Sequence, residues 1–526
     1  MILATLASIT AIVLPSTVLP STAAEPTRAM WIELSAKAIS VRGVTASDTP
    51  LTPRALERRA ALRTLPGLVD AHDVPISLDR VRSIVATGAD LRTQSRWLNA
   101  VSVNATDAEI RAIARLPFVA KVSPLHRSRP DTPRDDTPID SQGGVAALEY
   151  GLMTDQLLEI DVPSMHLRGF HGEGMIIGIL DSGFNRVHEA FHSVDHPLDV
   201  IAEWDFVSND ANTGIETGDD PNQHNHGTWI LGTIAAYMPG SAIGAAFKAK
   251  FVLAKTEVYA TETIIEEDYY VAGLEFIEAQ GADLATSSLG YIDWYTPEML
   301  DGLTAITTRG VNIATANGLV CLTAAGNDGH DTNPATHTII APSDAFNVIT
   351  CGAANSDGTI AGFSSDGPTA DGRLKPEVLA RGVAVASVHS TNATGFSAVS
   401  GTSLSTPLIA GATALVMQAR SELGVAGIRA ALFATASDFV ANGVTDPLFV
   451  RGYGVISTIA AARSGRRAAD VNFDGIVDAA DLTSVLASWG VCADVDPATG
   501  FCACDFDADG TIGGTDLATI LSAWGM

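Results

Sequence analysis

Three polar residues in this chain have the types and the order needed for acyl transfer through a serine. Asp181 follows the apolar run MIIGIL, His226 lies in NQHNHGTWILGTIAA, and Ser403 lies in VSGTSLSTPLIAGATAL. A serine hydroxyl becomes an effective nucleophile only when a base removes its proton. An imidazole titrates near neutral pH and serves as that base, while a carboxylate orients it and stabilises its charged form. The set therefore predicts nucleophilic catalysis.

Ser403 has a second interpretation, because it precedes a run of small and apolar residues typical of a buried helix. Serine often caps such a helix by accepting hydrogen bonds from its first N–H groups. The same N–H groups and the positive helix end would stabilise an oxyanion beside a nucleophile. We predict that Ser403 does both.

The segments that must position these residues lie between about 150 and 463, where short apolar runs alternate with helical patterns. The runs are continuous in Val, Ile, Leu and Ala rather than alternating, which indicates a parallel sheet covered on both faces. Several runs end in a polar residue, namely Asp181, Ser288 and Asn327. Ligands bind at the carboxyl ends of strands in open α/β sheets, so we expect these residues to converge.

The motifs around Asp181, His226, Asn327 and Ser403 resemble those of the subtilisin-like serine proteases (subtilases, peptidase family S8), for which the order Asp, His, Ser is known. The resemblance covers residues 150–463. It implies an α/β, three-layer fold with a central parallel sheet, and an endopeptidase acting on protein or peptide substrates. The catalytic residues would be Asp181, His226 and Ser403. Asn327 would form the oxyanion hole with the Ser403 backbone N–H.

The resemblance also assigns neighbouring residues. Only His226 precedes Gly-Thr as the motif requires, which disfavours His224, and His188 matches a structural histidine. Two short segments would form the substrate edge and flank the pocket for the residue before the scissile bond: Ser288, Leu289 and Gly290, and Ala324, Ala325 and Gly326. Tyr291 borders this pocket and is expected to be able to narrow it.

The N-terminal residues indicate export. Residues 1–24 carry no charge and end in small residues, which resembles a secretory signal cleaved near Ala24. We therefore expect a secreted protein, extracellular or associated with the cell surface. No later stretch is apolar for long enough to span a bilayer. The formal net charge of −28 argues against non-specific binding to nucleic acid or to an anionic membrane.

Residues 25–130 read as a small α+β domain, with strands in SRWLNAVSVNA and PFVAKVSP. Between them lies a helix that begins with a capping box at Thr106 and Glu109. This segment has 16 Lys and Arg against 10 Asp and Glu, whereas the rest of the chain has 16 against 50. Charges of +6 and −34 would suit an association of the two parts, and chance surface composition is the other interpretation. The resemblance implies an inhibitory, chaperone-like propeptide removed autocatalytically within the linker 131–149; a retained accessory domain is the alternative.

Residues 468–526 contain two copies of one pattern, DVNFDGIVDAADLTSVLASWG and DFDADGTIGGTDLATILSAWG, offset by 35 residues. Each begins like a calcium loop and continues as one helix. The pair resembles a dockerin, which implies a small all-α module that needs two Ca²⁺ ions to fold and binds a cohesin-like or cell-surface partner. The expected ligands are Asp470, Asn472, Asp474, the Ile476 carbonyl, Asp478 and Asp481, and then Asp505, Asp507, Asp509, the Thr511 carbonyl and Asp516. Further Ca²⁺ sites are left open.

Two further alternatives stay open. Cys492 could form a disulfide with either Cys502 or Cys504, while Cys321 and Cys351 lie in apolar runs and are expected to be buried thiols. The protein could also be a catalytically silent or narrowly specific surface attachment protein that works mainly through its C-terminal module.

Overall fold

The computed structural model describes residues 25–35, 37, 45–125, 134–139, 149–259, 266–291, 294–492, 502, 504–507 and 509–525. The expected signal, 1–24, and most of the expected linker, 131–149, lie outside these residues. Within the described ranges, no helix has the length and hydrophobicity needed to cross a membrane.

The N-terminal part is a four-stranded antiparallel sheet in the order β2-β3-β1-β4 with three helices. Thr106 and Glu109 cap the third helix reciprocally, as predicted. The run SRWLNAVSVNA is not one strand: Ser95 ends one strand and Ala100 begins the next, with a turn between them. The elements are β1 (Arg28–Leu34), α1 (Pro53–Leu62), α2 (Leu78–Val85), β2 (Asp90–Ser95), β3 (Ala100–Ala105), α3 (Asp107–Ile113), β4 (Val119–Pro124) and, after a gap, β5 (Arg134–Ile139).

A seven-stranded parallel sheet forms the centre of the molecule, in the order β14-β13-β12-β11-β6-β10-β7. Its inner strands are buried along their whole length, which explains why their sequences are continuously apolar. The elements of this part of the chain are α4 (Thr154–Leu158), α5 (Val162–His166), β6 (Ile176–Asp181), β7 (Asp199–Asp205), α6 (Asn225–Ala235), β8 (Tyr237–Met238), β9 (Ala242–Ile243), β10 (Lys250–Lys255), α7 (Glu267–Gln280), β11 (Leu284–Ser287), α8 (Ile306–Ala316), β12 (Val320–Ala324), β13 (Ile349–Ala354) and β14 (Val378–Arg381), of which β8 and β9 form a separate two-stranded sheet.

A second, three-stranded sheet leads into the longest helix and includes the isolated strand β5, in the order β15-β16-β5. The pairing of β16 with β5 is antiparallel, with Ser400 opposite Arg134 and Phe396 opposite Ile139. The elements that follow β14 are β15 (Val385–Val388), β16 (Phe396–Ser400), α9 (Thr402–Ala419), α10 (Val425–Ala434), α11 (Ser437–Asn442) and α12 (Thr458–Arg463). Helix α9 is buried along almost its whole length and packs against the sheet.

The C-terminal repeats form α13 (Ala479–Ala487), β17 (Gly490–Val491), β18 (Thr511–Ile512) and α14 (Gly514–Ser522). Besides the two expected helices, β17 and β18 make a short antiparallel pair, so the module is not purely helical. The pair joins the end of the first repeat, after its helix, to the loop of the second repeat, before its helix.

The N-terminal part, helix α1 as well as the sheet, lies against α7 through buried charged groups in addition to apolar contacts. Arg58 and Arg59 both contact Glu278, and Arg59 also binds Asp73 with two hydrogen bonds of 2.9 Å. Arg92 and Ser102 donate to Asp268 at 3.1 and 2.5 Å. Glu275 accepts from the Ser95 hydroxyl at 2.6 Å and from the Trp97 N–H at 3.1 Å. Three acidic residues of one helix are thus neutralised or hydrogen-bonded by the basic N-terminal part.

Candidate active site

Asp181 and His226 form a close pair at the carboxyl edge of the central sheet. Asp181 is the last residue of β6 and is fully buried, and His226 is the second residue of α6. The His226 Nδ1 atom lies 2.9 Å from Oδ1 and 3.0 Å from Oδ2 of Asp181. A Cβ at position 227 would lie 2.3 Å from the Gly183 carbonyl oxygen, so only glycine lets α6 approach the strand end this closely.

The Asp181 carboxylate is also held by the residue after it. The backbone N–H and the hydroxyl of Ser182 donate to Oδ1 at 2.7 and 3.1 Å. These bonds fix the plane of the carboxylate, which leaves both oxygens facing the imidazole. The arrangement sets Nδ1 as the protonated nitrogen of a neutral His226 and directs Nε2 away from Asp181.

Ser403 lies beside the end of β11, bonded to Ser288. Its hydroxyl donates to the Ser288 carbonyl oxygen at 3.3 Å, and the Ser288 hydroxyl donates to the Ser403 carbonyl at 2.8 Å. The expectation that Ser403 also caps the helix is wrong. Gly401 is the N-cap, no side chain makes the cap hydrogen bond, and Ser403 is the second helical residue. Its hydroxyl is therefore free of a structural cap role.

Asn327 is turned so that its amide nitrogen is near the start of α9. Its Oδ1 accepts hydrogen bonds from the N–H of Thr402 at 2.9 Å and from the Thr402 hydroxyl at 3.1 Å. A Cβ at Gly401 would lie 3.5 Å from Asn327 Nδ2. With the oxygen committed to Thr402, the Nδ2 group is the donor that Asn327 presents near Ser403.

The other histidines near the site have structural contacts. His224 Nε2 lies 2.9 Å from the Gly214 carbonyl oxygen, and burial, followed by the positive charge of Lys255, lowers the pKa of His224. His188 Nε2 lies 2.7 Å from the Gly395 carbonyl, and its Nδ1 accepts from the Ala190 N–H. Neither ring is paired with Asp181 in the described contacts, in keeping with the choice of His226.

The two expected substrate segments lie at the ends of adjacent strands. Ser288–Gly290 continues β11, and Ala324–Gly326 ends and follows β12, which pairs with β11. Tyr291 is fully buried, and its ring packs against Tyr270 and Trp294, with centroids 6.0 and 6.1 Å away. Sequence reasoning missed Ile340, which contacts both segments.

The two C-terminal loops have the same hydrogen-bond scaffold. Asp470 accepts from the Gly475 N–H at 3.0 Å, as Asp505 accepts from the Gly510 N–H at 2.8 Å. At the other end of each loop, one carboxylate accepts from backbone N–H groups on both sides. The N–H groups of Val471 and Asp478 donate to Asp481, and those of Phe506 and Gly513 donate to Asp516. The 35-residue repeat is therefore a repeat of geometry as well as of sequence.

The oxygen atoms of these loops suit a hard cation. Asp505, Asp507 and Asp509 offer carboxylate oxygens within 4.8 Å of one another. In the first loop, Asp470 is 3% exposed, and its Oδ1 atom has no hydrogen-bond partner among the described residues. A buried carboxylate oxygen without a donor is costly unless a cation binds it. The carboxylate and carbonyl set fits Ca²⁺.

The cysteines resolve one open alternative. Cys492 and Cys502 form a disulfide with a Cα–Cα distance of 6.2 Å, and Cys504 is a buried thiol. Cys321 and Cys351 are also buried thiols, as predicted. Burial raises the pKa of the Cys321 thiol to about 12.

Two family models match the chain. The subtilase family model matches residues 172–455, and a model of the S8 propeptide domain of Bacteroidota matches residues 29–137. Subtilisin E of Bacillus subtilis (strain 168) is 28% identical over 382 residues, which are 72% of this chain and 84% of that protein. A subtilisin of Bacillus pumilus is 30% identical over 311 residues, or 58% of this chain and 97% of that protein.

A solved structure agrees in fold. Fervidolysin from Fervidobacterium pennivorans, described as a keratinolytic enzyme related to subtilisin, aligns with a TM-score of 0.57 at 20% identity. The alignment covers 84% of this chain and 61% of that one. Because the family model matches more than half of the chain, the protein belongs to the subtilase family and carries an N-terminal S8 propeptide domain.

Proposed function

We propose that the chain is a secreted serine endopeptidase whose catalytic triad is Asp181, His226 and Ser403, with a peptidase domain spanning 150–463. The observation that carries the proposal is the hydrogen bond from His226 Nδ1 to the buried Asp181 carboxylate, at the strand edge that also holds Ser403. This contact orients an imidazole as the base that a serine nucleophile needs.

In the proposed reaction, His226 Nε2 takes the Ser403 hydroxyl proton as Oγ attacks the scissile carbonyl carbon. Asp181 stabilises the imidazolium that forms. Asn327 Nδ2 and the Ser403 backbone N–H donate to the oxyanion, where one donor is worth about 100–1,000-fold in turnover. The imidazolium then protonates the leaving amine as the C–N bond breaks. Water, deprotonated by His226, releases the acyl group and regenerates Ser403.

Residues 25–130 serve as the inhibitory propeptide in this proposal. The support is the contact with α7, where Arg58, Arg59 and Arg92 meet Glu278 and Asp268 inside the structure. Complementary charge of this kind gives specificity to an association that must later end. A retained accessory domain would use the same contact, so cleavage decides between the two.

The course of β5 narrows the position of that cleavage. β16 runs toward Ser403, and antiparallel β5 therefore runs away from it, with Arg134 opposite Ser400 at the near end. Three residues of backbone separate Ser400 from Ser403, a span of about 11 Å at most. A chain that leaves a nucleophile in this direction carries the residues after the scissile bond. We propose that the cut lies within residues 131–134, at the N-terminal end of the 131–149 linker.

Residues 468–526 form a dockerin-like module in this proposal, with Ca²⁺ bound in both loops and a cohesin-like or cell-surface partner. The support is the repeated loop scaffold and the buried Asp470 oxygen. Asp470, Asp474 and Asp481 would supply charge in the first loop, and Asp505, Asp509 and Asp516 in the second. Bound Ca²⁺ would neutralise the acidic loops and stabilise the module. Residues 1–24 would direct export.

The alternative is an attachment protein without catalysis. The Asp181–His226 pair weighs against it, because a silent domain has no need of a buried carboxylate aligned on an imidazole. Labelling by a fluorophosphonate, which reacts with an activated serine, separates the two.

The test is the intact mass and N-terminal sequence of the wild-type chain beside Ser403→Ala, both expressed with calcium. We expect wild type to lose its N-terminal residues and the variant to keep them. Cleavage of both chains at the same bond would contradict autocatalysis. Two uncut chains, with no fluorophosphonate labelling of wild type, would refute the proposed activity itself.

A further inference from the structure

Ile340 occupies the space between the two substrate segments. A Cβ at Gly290 would lie 1.9 Å from the Ile340 Cδ1 atom and 2.4 Å from its Cγ1 atom. A Cβ at Gly326, on the facing segment, would lie 3.1 Å from the Ile340 Cγ2 atom. The Ile340 side chain thus reaches both walls, and the residue is only 3% exposed.

The backbone on both sides of Ile340 is fixed. Its N–H donates to the Ala325 carbonyl at 3.2 Å, and its own carbonyl accepts from the Ser343 N–H at 2.8 Å. The next residue, Ala341, exchanges two hydrogen bonds with Tyr291, of 2.9 and 3.0 Å. The side chain can therefore leave the space only by changing its own rotamer, against walls that already touch it.

Ile340 packs this closely because the two segments that it touches have glycine at the points of contact, Gly290 and Gly326. Position 290 cannot hold even a methyl group while Ile340 is present, because 1.9 Å is far inside van der Waals contact. Ser288, two residues earlier on the same segment, accepts the Ser403 hydroxyl hydrogen bond through its carbonyl. The filled space therefore lies beside the nucleophile, where the side chain of the residue before the scissile bond (P1) would enter.

We infer that Ile340 fills the P1 pocket and restricts cleavage to bonds after small residues, namely glycine, alanine and serine. The inference rests on the proposed endopeptidase function and specifies its substrate class. An aromatic or long aliphatic P1 side chain would have to displace four carbon atoms held between Gly290 and Gly326. A pocket too small by several methylene groups discriminates strongly, since a single methylene is worth about 10–200-fold.

The test compares internally quenched peptides that differ only at P1, carrying alanine, leucine or phenylalanine, with the mature enzyme in calcium. For wild type we expect kcat/KM at least 100-fold higher for alanine than for phenylalanine. Ile340→Ala should raise kcat/KM for the phenylalanine peptide at least tenfold. The alanine peptide should remain the better substrate, but the ratio of its kcat/KM to that of the phenylalanine peptide should be much smaller than in wild type. Ile340→Val, which removes one methyl group, should shift the ratio in the same direction by less.

Ile339→Ala is the matched control, because Ile339 is equally buried but packs with Leu300 and Ala305 rather than against the substrate segments. It should leave the phenylalanine-to-alanine ratio unchanged. A wild-type enzyme that cleaves after phenylalanine as well as after alanine overturns the inference, as does an equal shift in the Ile339 and Ile340 variants. A wild-type chain that neither cleaves any peptide nor reacts with a fluorophosphonate overturns the proposed function, and this inference with it.

Discussion

The peptidase body contacts its two flanking units in different ways. The contact with the N-terminal unit combines buried charges with apolar side chains: Arg59 and Glu278 are both fully buried and lie 2.8 Å apart, and Trp31 and Trp97 share an apolar cluster with Tyr270 and Leu274 of α7. At the C-terminal unit the described contacts include one aromatic ring, Phe473, stacked on Phe170 with centroids 5.9 Å apart, and an ion pair between Arg466 and Asp470.

The two contacts differ in which residues of the peptidase body become exposed to water when the unit is removed. Removal of the N-terminal unit exposes three acidic residues of α7, which water solvates, together with apolar residues of the same helix. Removal of the C-terminal unit uncovers Phe170, on which Phe473 stacks. The first contact therefore includes buried charges that water can solvate after separation, whereas the second is described by one ring stack and one ion pair.

The largest effect should follow from breaking the buried charge network. In a Ser403→Ala chain, which we expect to keep its N-terminal unit, Arg59→Met would leave the buried Asp73 without its arginine partner and leave Glu278 paired with Arg58 instead of with two arginines. We expect the free energy of unfolding of this unit to fall by about 3–5 kcal/mol, the usual cost of an uncompensated buried charge. Denaturant unfolding followed by tryptophan fluorescence measures it, because Trp31 and Trp97 are buried there.

The control for this variant is Arg28→Met, since Arg28 and Asp107 form an ion pair that is about two-thirds exposed on both sides. Exposed pairs contribute about 0–1 kcal/mol. Equal losses from the two variants would show that the buried network does not hold the N-terminal unit.

The second prediction concerns the C-terminal loops. Asp481→Ala would remove the acceptor of three backbone N–H groups, from Val471, Asn472 and Asp478. We expect the module to lose about 3 kcal/mol, because hydrogen bonds to a charged acceptor are worth about 1.5–3 kcal/mol each and water recovers part of them. Calorimetry in calcium should show the module unfolding at lower temperature while the peptidase transition stays in place. A shift of both transitions would mean that the module is not independently stabilised.

Several of these features could be predicted from sequence because they depend on local pattern. The continuous apolar runs predicted a parallel sheet, and the polar residues at their ends predicted the edge where Asp181, Ser288 and Asn327 lie. The capping box at Thr106 was predicted from four consecutive residues. In each case the pattern lies within one short stretch of chain, so it can be recognised without knowing which distant residues it contacts.

Other features depend on contacts between distant residues. Arg58 and Glu278 are 220 positions apart, and buried arginine contradicts the usual exposure of that residue, so only the assembled fold pairs them. Ile340 fills a space defined by the missing side chains of Gly290 and Gly326, and an absent side chain gives no sequence signal of what approaches it. Cys492 is close enough in sequence to pair with either Cys502 or Cys504, and the structure pairs it with Cys502.

The third prediction concerns the pH dependence of stability in the peptidase body, which we attribute to His166. His166 lies in α5, two residues before Arg168, whose guanidinium carbon is 5.9 Å from the Phe473 ring centroid. Its Nε2 donates to the Ala245 carbonyl and its Nδ1 accepts from the Tyr150 hydroxyl, both at 2.9 Å. Burial lowers the pKa of His166 from 6.5 to about 3, and the hydrogen bond to the Ala245 carbonyl raises this pKa by less.

Because the folded state resists protonation of His166, its stabilising contribution is full above pH 6.5 and is lost as the pH falls toward 3. One such group lowers the free energy of unfolding by about 1.4 kcal/mol for each pH unit, or by about 2 kcal/mol between pH 6.5 and pH 5. In the Ser403→Ala chain, His166→Asn should be less stable at pH 7 but should lose less stability over that interval. Parallel stability curves for the two chains would exclude His166 as the acid-sensitive group.

The smallest effect concerns the ring contact to the C-terminal module. Phe473→Leu keeps an apolar side chain but removes the stacking on Phe170, and aromatic pairs are worth about 0.5–1.5 kcal/mol beyond their buried area. A double-mutant cycle with Phe170→Leu in the calcium-loaded chain should give a coupling energy in that range. The second repeat carries Ala508 at the equivalent position, which offers no ring, so the first repeat alone would provide this contact. A coupling energy of zero would mean that the stacking does not stabilise the contact with the module, and the contrast between the buried charges at the N-terminal unit and the ring at the C-terminal unit would not hold.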